Sequence, residues 1–175
     1  MKKAKKFLPM KIDERLLNEI KSNCRSNVNN NKQFFSKLKR VNYKILDYVV
    51  LEYHNEVFSE TNCTECANCC KSISPILYES DIKRLAKGLK MKIASFKDKY
   101  LTIDEDNDYV FRETPCPFLG NDNFCLVYSD RPKACKEYPH TDKKRLYQVL
   151  DKTAANMAIC PAVFRIVQKL KLKYN

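Results

Sequence analysis

Four cysteines stand within eight residues of this chain, Cys63-Thr-Glu-Cys66-Ala-Asn-Cys69-Cys70, and four more follow at Cys116, Cys125, Cys135 and Cys160. Thiolates gathered this densely hold a zinc ion or an iron–sulfur cluster. Two residues between cysteines let both sulfurs reach one metal without backbone strain, and Cys63/Cys66 and Cys66/Cys69 both qualify. Adjacent Cys69 and Cys70 are expected to diverge, one facing a first site while its neighbour faces a second site or closes the pocket. Eight thiols fill two four-cysteine sites, or one iron–sulfur cluster with four thiols left for a second cluster, a zinc or packing. Spacing leaves that partition open. Buried free thiols or disulfides are the opposing reading, and the spacing and the lack of a secretion signal weigh against it.

A thiolate site carries net negative charge. Lys71, Arg131, Lys133 and Lys136 lie close to the cysteines in sequence and are suited to offset it and to donate hydrogen bonds to sulfur. Other candidates are weaker. Cys24 sits far from the rest and reads as a packing residue. His54, alone on a helix, reads as a surface or packing residue rather than a ligand. Asp104, Glu105, Asp106 and Asp108 resemble a calcium loop only superficially, because the central Gly and the downstream bidentate Glu are missing. They read as a solvated turn.

The elements that must position these residues are mostly helical. Ile12, Leu16, Leu17 and Ile20 recur at helical spacing, with Asp13 and Glu14 suited to a first turn. Asn27 to Asn31 reads as a polar loop. Phe35, Leu38, Ile45, Leu46, Val49, Tyr53 and Val57 predict one long helix from about Lys32 to Phe58. After the cysteine cluster, Ile82, Leu85, Ala86 and Leu89 form a helical face with Ser80 as its N-cap and Gly88 near its end. A short helix follows around Ser95 to Tyr100. Leu101-Thr102-Ile103 and Tyr109-Val110-Phe111 flank the acidic turn as a β-hairpin. Pro115 and Pro117 stiffen the backbone on either side of Cys116. Asp130 to Ala134 starts a short helix, and Cys160-Pro161 opens a last one with Val163, Ile166, Val167 and Leu170 as its apolar face. The expected fold is mainly α, in α+β form, with helices around a cysteine-rich, loop-dominated metal centre and a small hairpin. An N-terminal helical segment, 1–60, precedes a cysteine-cluster domain, 61–175, in one compact unit.

Composition sets the bounds. A chain of 175 residues with 44% apolar residues can bury a core, and its 31% charged residues do not make it disordered. Only two glycines and no tryptophan are present, so turns rest on Asn, Asp and Pro. The basic start, Met1-Lys2-Lys3-Ala4-Lys5-Lys6, is like a signal n-region, but Phe7 to Lys11 is too short and too soon charged to be the apolar region that should follow. No run reaches the length of a membrane span. The expectation is a soluble, cytoplasmic protein with no membrane partner. The net charge of +12 suits an acidic partner such as nucleic acid. It suits equally a solvated, lysine-rich surface.

Cys-x2-Cys-x2-Cys-Cys, Pro115-Cys-Pro-Phe-Leu119, Cys125-x-Val-Tyr-x2-Arg-Pro-x2-Cys-x2-Tyr-Pro139 and a late Cys160-Pro161, taken together, resemble the YkgJ-type cysteine-cluster family of zinc- or iron-chelating domains. The resemblance runs from about Asn62 to Ala162. It implies that Cys63, Cys66, Cys69, Cys70, Cys116, Cys125, Cys135 and Cys160 are the ligands. It makes Arg131-Pro132 and Tyr138-Pro139 the accompanying motifs. Tyr128 and Tyr138 are then suited to wall the site, Arg131 to bond a carbonyl or a sulfur, and His140 to sit beside the ligands rather than on the metal. Val127, Lys136 and Tyr138 depart from the Ile, Arg and Phe frequent at those places. Some members of the broader family are linked to lysine N-methylation of flagellin with S-adenosylmethionine as donor. That reaction is the alternative to a structural or redox metal site, although two glycines argue against a glycine-rich donor loop. A zinc-stabilised nucleic-acid or protein adaptor is the other alternative.

Overall fold

The structure, a computed structural model, describes residues 12–174. The basic start and the signal-like reading of Met1 to Lys11 lie outside the described residues. The chain begins with helices α1 (Glu14–Ser26), α2 (Val28–Leu38) and α3 (Tyr43–Ser59), then two short ones, α4 (Cys63–Cys66) and α5 (Asn68–Ser72). Next come α6 (Glu79–Gly88), α7 (Ile93–Tyr100) and strands β1 (Leu101–Ile103) and β2 (Tyr109–Phe111). A 3-10 turn (Tyr128–Asp130), α8 (Lys133–Glu137), a second 3-10 turn (Leu146–Val149), α9 (Leu150–Asn156) and α10 (Pro161–Tyr174) complete it. This is a mainly α fold with one small antiparallel hairpin, as the periodicity predicts. No described helix is long and apolar enough to cross a membrane.

Two compact units result, one from the chain up to Cys66 together with Pro139 onward, the other from Ala67–Tyr138. The first is all helix. Asp13 caps α1 by accepting the Leu16 amide at 3.0 Å. Ile20 and Cys24 of α1, Phe34, Phe35 and Leu38 of α2, Leu46, Val50 and Val57 of α3, and Val163, Ile166 and Leu170 of α10 form its core. Each such side chain adds roughly 1.5–3 kcal/mol on burial. α3 and α10 pack antiparallel, and two ion pairs fix their register, Glu56–Lys169 at 2.9 Å and Glu60–Arg165 at 2.8 Å.

Two local expectations are corrected here. Asn27 to Asn31 is not a loop, because α2 starts at Val28. Asn27 alone leaves helical geometry, its amide closing α1 on the Asn23 carbonyl and its carbonyl opening α2 to the Asn31 amide. Burial of Phe34, Phe35 and Leu38 outweighs the weak helix preference of three asparagines. The long helix from Lys32 to Phe58 is in fact interrupted. The chain tightens through Arg40 N–H to Lys37 O and Val41 N–H to Leu38 O, and Asn42 then caps α3 by accepting the Lys44 amide at 3.0 Å. A further capping point is non-local: Asp47 of α3 accepts the amides of Arg145 and Leu146 at 2.7 and 2.9 Å and so starts the second 3-10 turn, ahead of α9.

The second unit is smaller. Leu77, Ile82, Leu85, Ala86, Phe96, Leu101, Phe111 and Phe118 form its core. The hairpin has the expected register, with Leu101 opposite Phe111 and Ile103 opposite Tyr109. Asp104 closes its turn by accepting the amides of Asp106 and Asp108, so this acidic run builds a turn. Ser80 is not the N-cap of α6. The helix begins two residues earlier, where Asp81 accepts the Tyr78 amide at 3.2 Å. A Cβ on Gly88 would lie 2.5 Å from Asp130 Oδ2, so the glycine lets α6 approach the 3-10 turn closely.

Asp81 also takes Arg84 at 2.6 Å and the Lys133 amide at 3.1 Å while only 1% exposed. Arg84 in turn donates to the Asp130 and Arg131 carbonyls at 3.2 and 2.9 Å. Replacing Asp81 by Ala strands these donors. Asp81→Ala is expected to destabilise the second unit by about 2–4 kcal/mol, measured by urea unfolding, since Arg84 keeps partial solvent access. A loss below ~1 kcal/mol would show that the network does not hold this unit.

Candidate metal centre

Cys24, Cys70, Cys116, Cys125, Cys135 and Cys160 are free thiols. Cys24 lies in the core of the first unit, where burial raises its pKa, and it joins none of the groupings below. In that unit Cys63 and Cys66 occupy the single turn of α4. Asn62 caps that turn by accepting from the Thr64 amide at 3.1 Å and the Thr64 hydroxyl at 2.6 Å. Cys160 stands just ahead of α10, its carbonyl taking the Phe164 amide at 3.0 Å. Its sulfur accepts from the amides of Val163 and Ala162. Burial pushes the Cys160 thiol up to about 11, with Cys63 and Cys66 adding to the rise.

In the second unit Cys70, Cys116, Cys125 and Cys135 act on one another. The Cys116 amide donates to the Cys70 carbonyl at 2.8 Å, which ties α5 to the proline segment. A tight turn holds Cys116 and Cys125 together. Leu119 pairs with Cys125 as an isolated bridge, Gly120 N–H bonds Phe124 O at 2.8 Å and Leu126 N–H bonds Phe118 O at 2.9 Å. The amide two residues on donates to sulfur in both cases, Phe118 to Cys116 and Val127 to Cys125. Cys135 rides on α8, whose start Asp81 fixes through the Lys133 amide. Burial drives Cys116 up to about 11 and Cys135 up to about 12, and neighbouring thiolates push further. Arg131 pulls Cys125 and Cys135 the other way.

Cys69 and Cys70 do not diverge as expected. They share one turn of α5, where successive side chains are about 100° apart rather than opposed, and their sulfurs are 4.0 Å apart. A hydrogen bond from Cys69 brings the Cys70 thiol down to about 7. Between α4 and α5 in the chain stands Ala67, with a left-handed backbone (φ 46°). Cys63, Cys66, Cys69 and Cys70 thus ride on two short helices, while Cys116, Cys125 and Cys160 stand in the expected loops.

The flanking residues have settled positions. Arg131 donates to the Tyr128 carbonyl at 3.0 Å and stacks on the Tyr128 ring, 3.8 Å from its centroid. That ring is 60% exposed. Tyr138 closes α8, its amide bonding Ala134 O at 3.1 Å. His140 takes a left-handed backbone, φ 68°. His54 Nδ1 lies 2.8 Å from Thr141 Oγ1 and its ring stacks on Phe58, with burial lowering its pKa. It is a packed, hydrogen-bonded histidine.

Among the described residues no three His, Cys, Asp or Glu side chains stand close enough to hold an ion as they are. The donor chemistry nonetheless fits a soft metal. The thiols are grouped, amides point at Cys116, Cys125 and Cys160, and mutual repulsion is the feature that a cation would reverse. In metal-free protein at pH 7, Cys70 is expected to alkylate at least ~10-fold faster than Cys135, because only thiolate reacts. Its rate should fall about tenfold from pH 8 to pH 6 as the thiolate is protonated. Peptide mapping by mass spectrometry measures both, and equal rates at the two cysteines would refute the electrostatic picture.

A search of curated proteins and a search of solved structures each returned no match. A family model does match, described as "CxxCxxCC: Putative zinc- or iron-chelating domain", over residues 62–160. That span takes in all the clustered cysteines and more than half of the chain, and the property it brings is metal binding. With thiols held on capped turns and amides aimed at their sulfurs, this chain belongs to the CxxCxxCC family.

Proposed function

We propose that this protein holds zinc or an iron–sulfur cluster through its cysteine thiolates, and that the metal is chiefly structural. The observation that carries this reading is that Cys70, Cys116 and Cys125 lie within electrostatic reach of Cys135 in one unit, although the four come from separate segments: α5, the proline segment, the tight turn and α8. Four thiolates complete a closed tetrahedral zinc site or supply the ligands of one iron–sulfur cluster. The remaining ligands of the proposal are Cys63, Cys66, Cys69 and Cys160. When bound, the metal supplies positive charge and cross-links segments far apart in sequence.

The chain's own residues do the rest. Phe118 and Val127 amides support the sulfurs of Cys116 and Cys125 in the anionic form. Arg131 offsets charge at Cys125 and Cys135. Asp81 and Arg84 anchor the turn that leads into Cys135. The apolar core of this unit is small, so cross-links of this kind contribute a large share of its stability. Thiols whose pKa is raised release protons on binding, so affinity should increase with pH. Methyl transfer from S-adenosylmethionine and nucleic-acid binding draw no support from the arrangement of the cysteines.

Elemental analysis and an absorption spectrum of protein purified without air decide the metal. Stoichiometric zinc in colourless protein supports the structural reading. Iron with acid-labile sulfide and a broad band near ~400 nm, typical of sulfur-to-iron charge transfer, would turn it toward redox chemistry. Removal of the metal by a chelator is expected to lower Tm by more than ~10 °C, read by circular dichroism, because binding energy is folding energy. Cys135→Ser should lose metal and Cys24→Ser should keep it. Full metal content in Cys135→Ser would overturn the ligand assignment.

A further inference from the structure

The asparagine-rich segment Asn27 to Asn31 and the basic runs Lys37 to Arg40 and Lys169 to Lys173 play no part in the thiol sites. Packing within the first unit brings all three to one groove. Asn27, Asn30, Phe34 and Lys37 recur at spacings of three and four, so they share one face of α2. Gln33 lies beside them, and Lys171 comes from the last turn of α10. Together these residues line a groove of about 450 Å³, within the ~300–1,000 Å³ usual for small-ligand sites. From Asn27 to Lys37 it spans about 15 Å, at about 1.5 Å per helical residue.

Every polar side chain of the lining is a lysine or a carboxamide, and no carboxylate joins them. Buried Asn31 accepts from Lys171 Nζ at 2.6 Å, and the ammonium lies 5.9 Å from the centre of the Phe34 ring. Lys171 is thereby held over the middle of α2 with donors to spare. Neither Lys171 nor Lys37 pairs with a carboxylate among the described residues. Their neighbours on the same segments differ: Lys39 pairs with Asp151 and Lys169 with Glu56, both at 2.9 Å. Met1 to Lys11 contain no acidic side chain.

The two ends of the groove offer different chemistry. Lys37 and Lys171 supply two ammonium groups, suited to a dianion. At the other end Asn27 donates to the Asn23 carbonyl at 2.9 Å, and its side-chain oxygen accepts from Asn30 at 3.4 Å. That orients the Asn30 carboxamide and leaves its oxygen open to a donor. Phe34 is only 5% exposed, too little for a flat base to stack on. The body of a fitting ligand is therefore rich in hydroxyls rather than aromatic.

We infer that this groove binds a sugar phosphate, with the phosphate between Lys37 and Lys171 and the hydroxyls on Asn30 and Gln33. The site is independent of the metal.

Calorimetry and amide NMR mapping of the full-length protein at fixed ionic strength test this, with ribose 5-phosphate and with inorganic phosphate. One equivalent of ribose 5-phosphate is expected to bind and to shift amides of α2 and of the end of α10. Lys37→Gln and Lys171→Gln should each weaken it about 5-fold or more, the scale of one charged hydrogen bond. Asn30→Ala should weaken ribose 5-phosphate and leave inorganic phosphate unchanged. Lys39→Gln, on the same segment but already paired, should change neither. Lys37 is exposed, so its variant decides the matter if loss of the Lys171–Asn31 bond unsettles the fold. Absence of binding overturns the inference. So do shifts scattered over the lysine-rich surface, or equal losses in Lys39→Gln and Lys37→Gln, since either reports net charge alone. Binding of a single-stranded RNA without binding of ribose 5-phosphate overturns it in favour of a polyanion surface.

Discussion

Sulfurs that must be anionic to bind a metal are held in this protein where anions are disfavoured. Burial pushes Cys116, Cys135 and Cys160 up to about 11, 12 and 11, and neighbouring thiols add to the penalty. The fold answers with fixed dipoles. Amides of Phe118, Val127, Ala162 and Val163 point at sulfur, and Arg131 adds a full charge. These supports reduce the cost without removing it. A cation removes it, because it turns repulsion among thiolates into shared attraction. The arrangement makes most sense as one completed by metal.

Polar anchors placed just outside the cysteine segments set their positions. In the second unit Asp81 binds Arg84 and the Lys133 amide, so α6 fixes the path into Cys135. Cys70 and Cys116 are joined through the backbone. In the first unit the Glu60–Arg165 pair lies between the core and the cysteines, with Cys63 beyond one partner and Cys160 before the other. Glu60 and Arg165 keep 17% and 30% exposure, so this pair is desolvated enough to hold geometry and wet enough to avoid a large penalty. The apolar residues of α3 and α10 supply the stiffness behind it.

Most helices were legible because their apolar residues recur at the helical period, as in α1, α6 and α10. The hairpin was legible because alternating apolar residues flank an acidic turn. Two of the departures share a cause. Asparagine serves as cap, loop and tolerated helix residue, and local sequence does not say which. Asn27 separates two helices by a single residue, and Asn42 starts one. α9 and the 3-10 turn before it depend on Asp47, about a hundred residues earlier, and such a partner leaves no local pattern.

By itself the sequence pointed to a metal-binding domain, because thiols at two-residue spacing have few other uses at this density. It also determined the family, through the order of those cysteines with Arg131-Pro132. Tertiary structure decided which thiols are neighbours. Cys63 and Cys160 are far apart in sequence, yet Cys160 feels the charge of Cys63 and Cys66. The physical reason is register: an ion pair between two packed helices sets which ends meet, and that information is spread across segments that sequence spacing cannot connect.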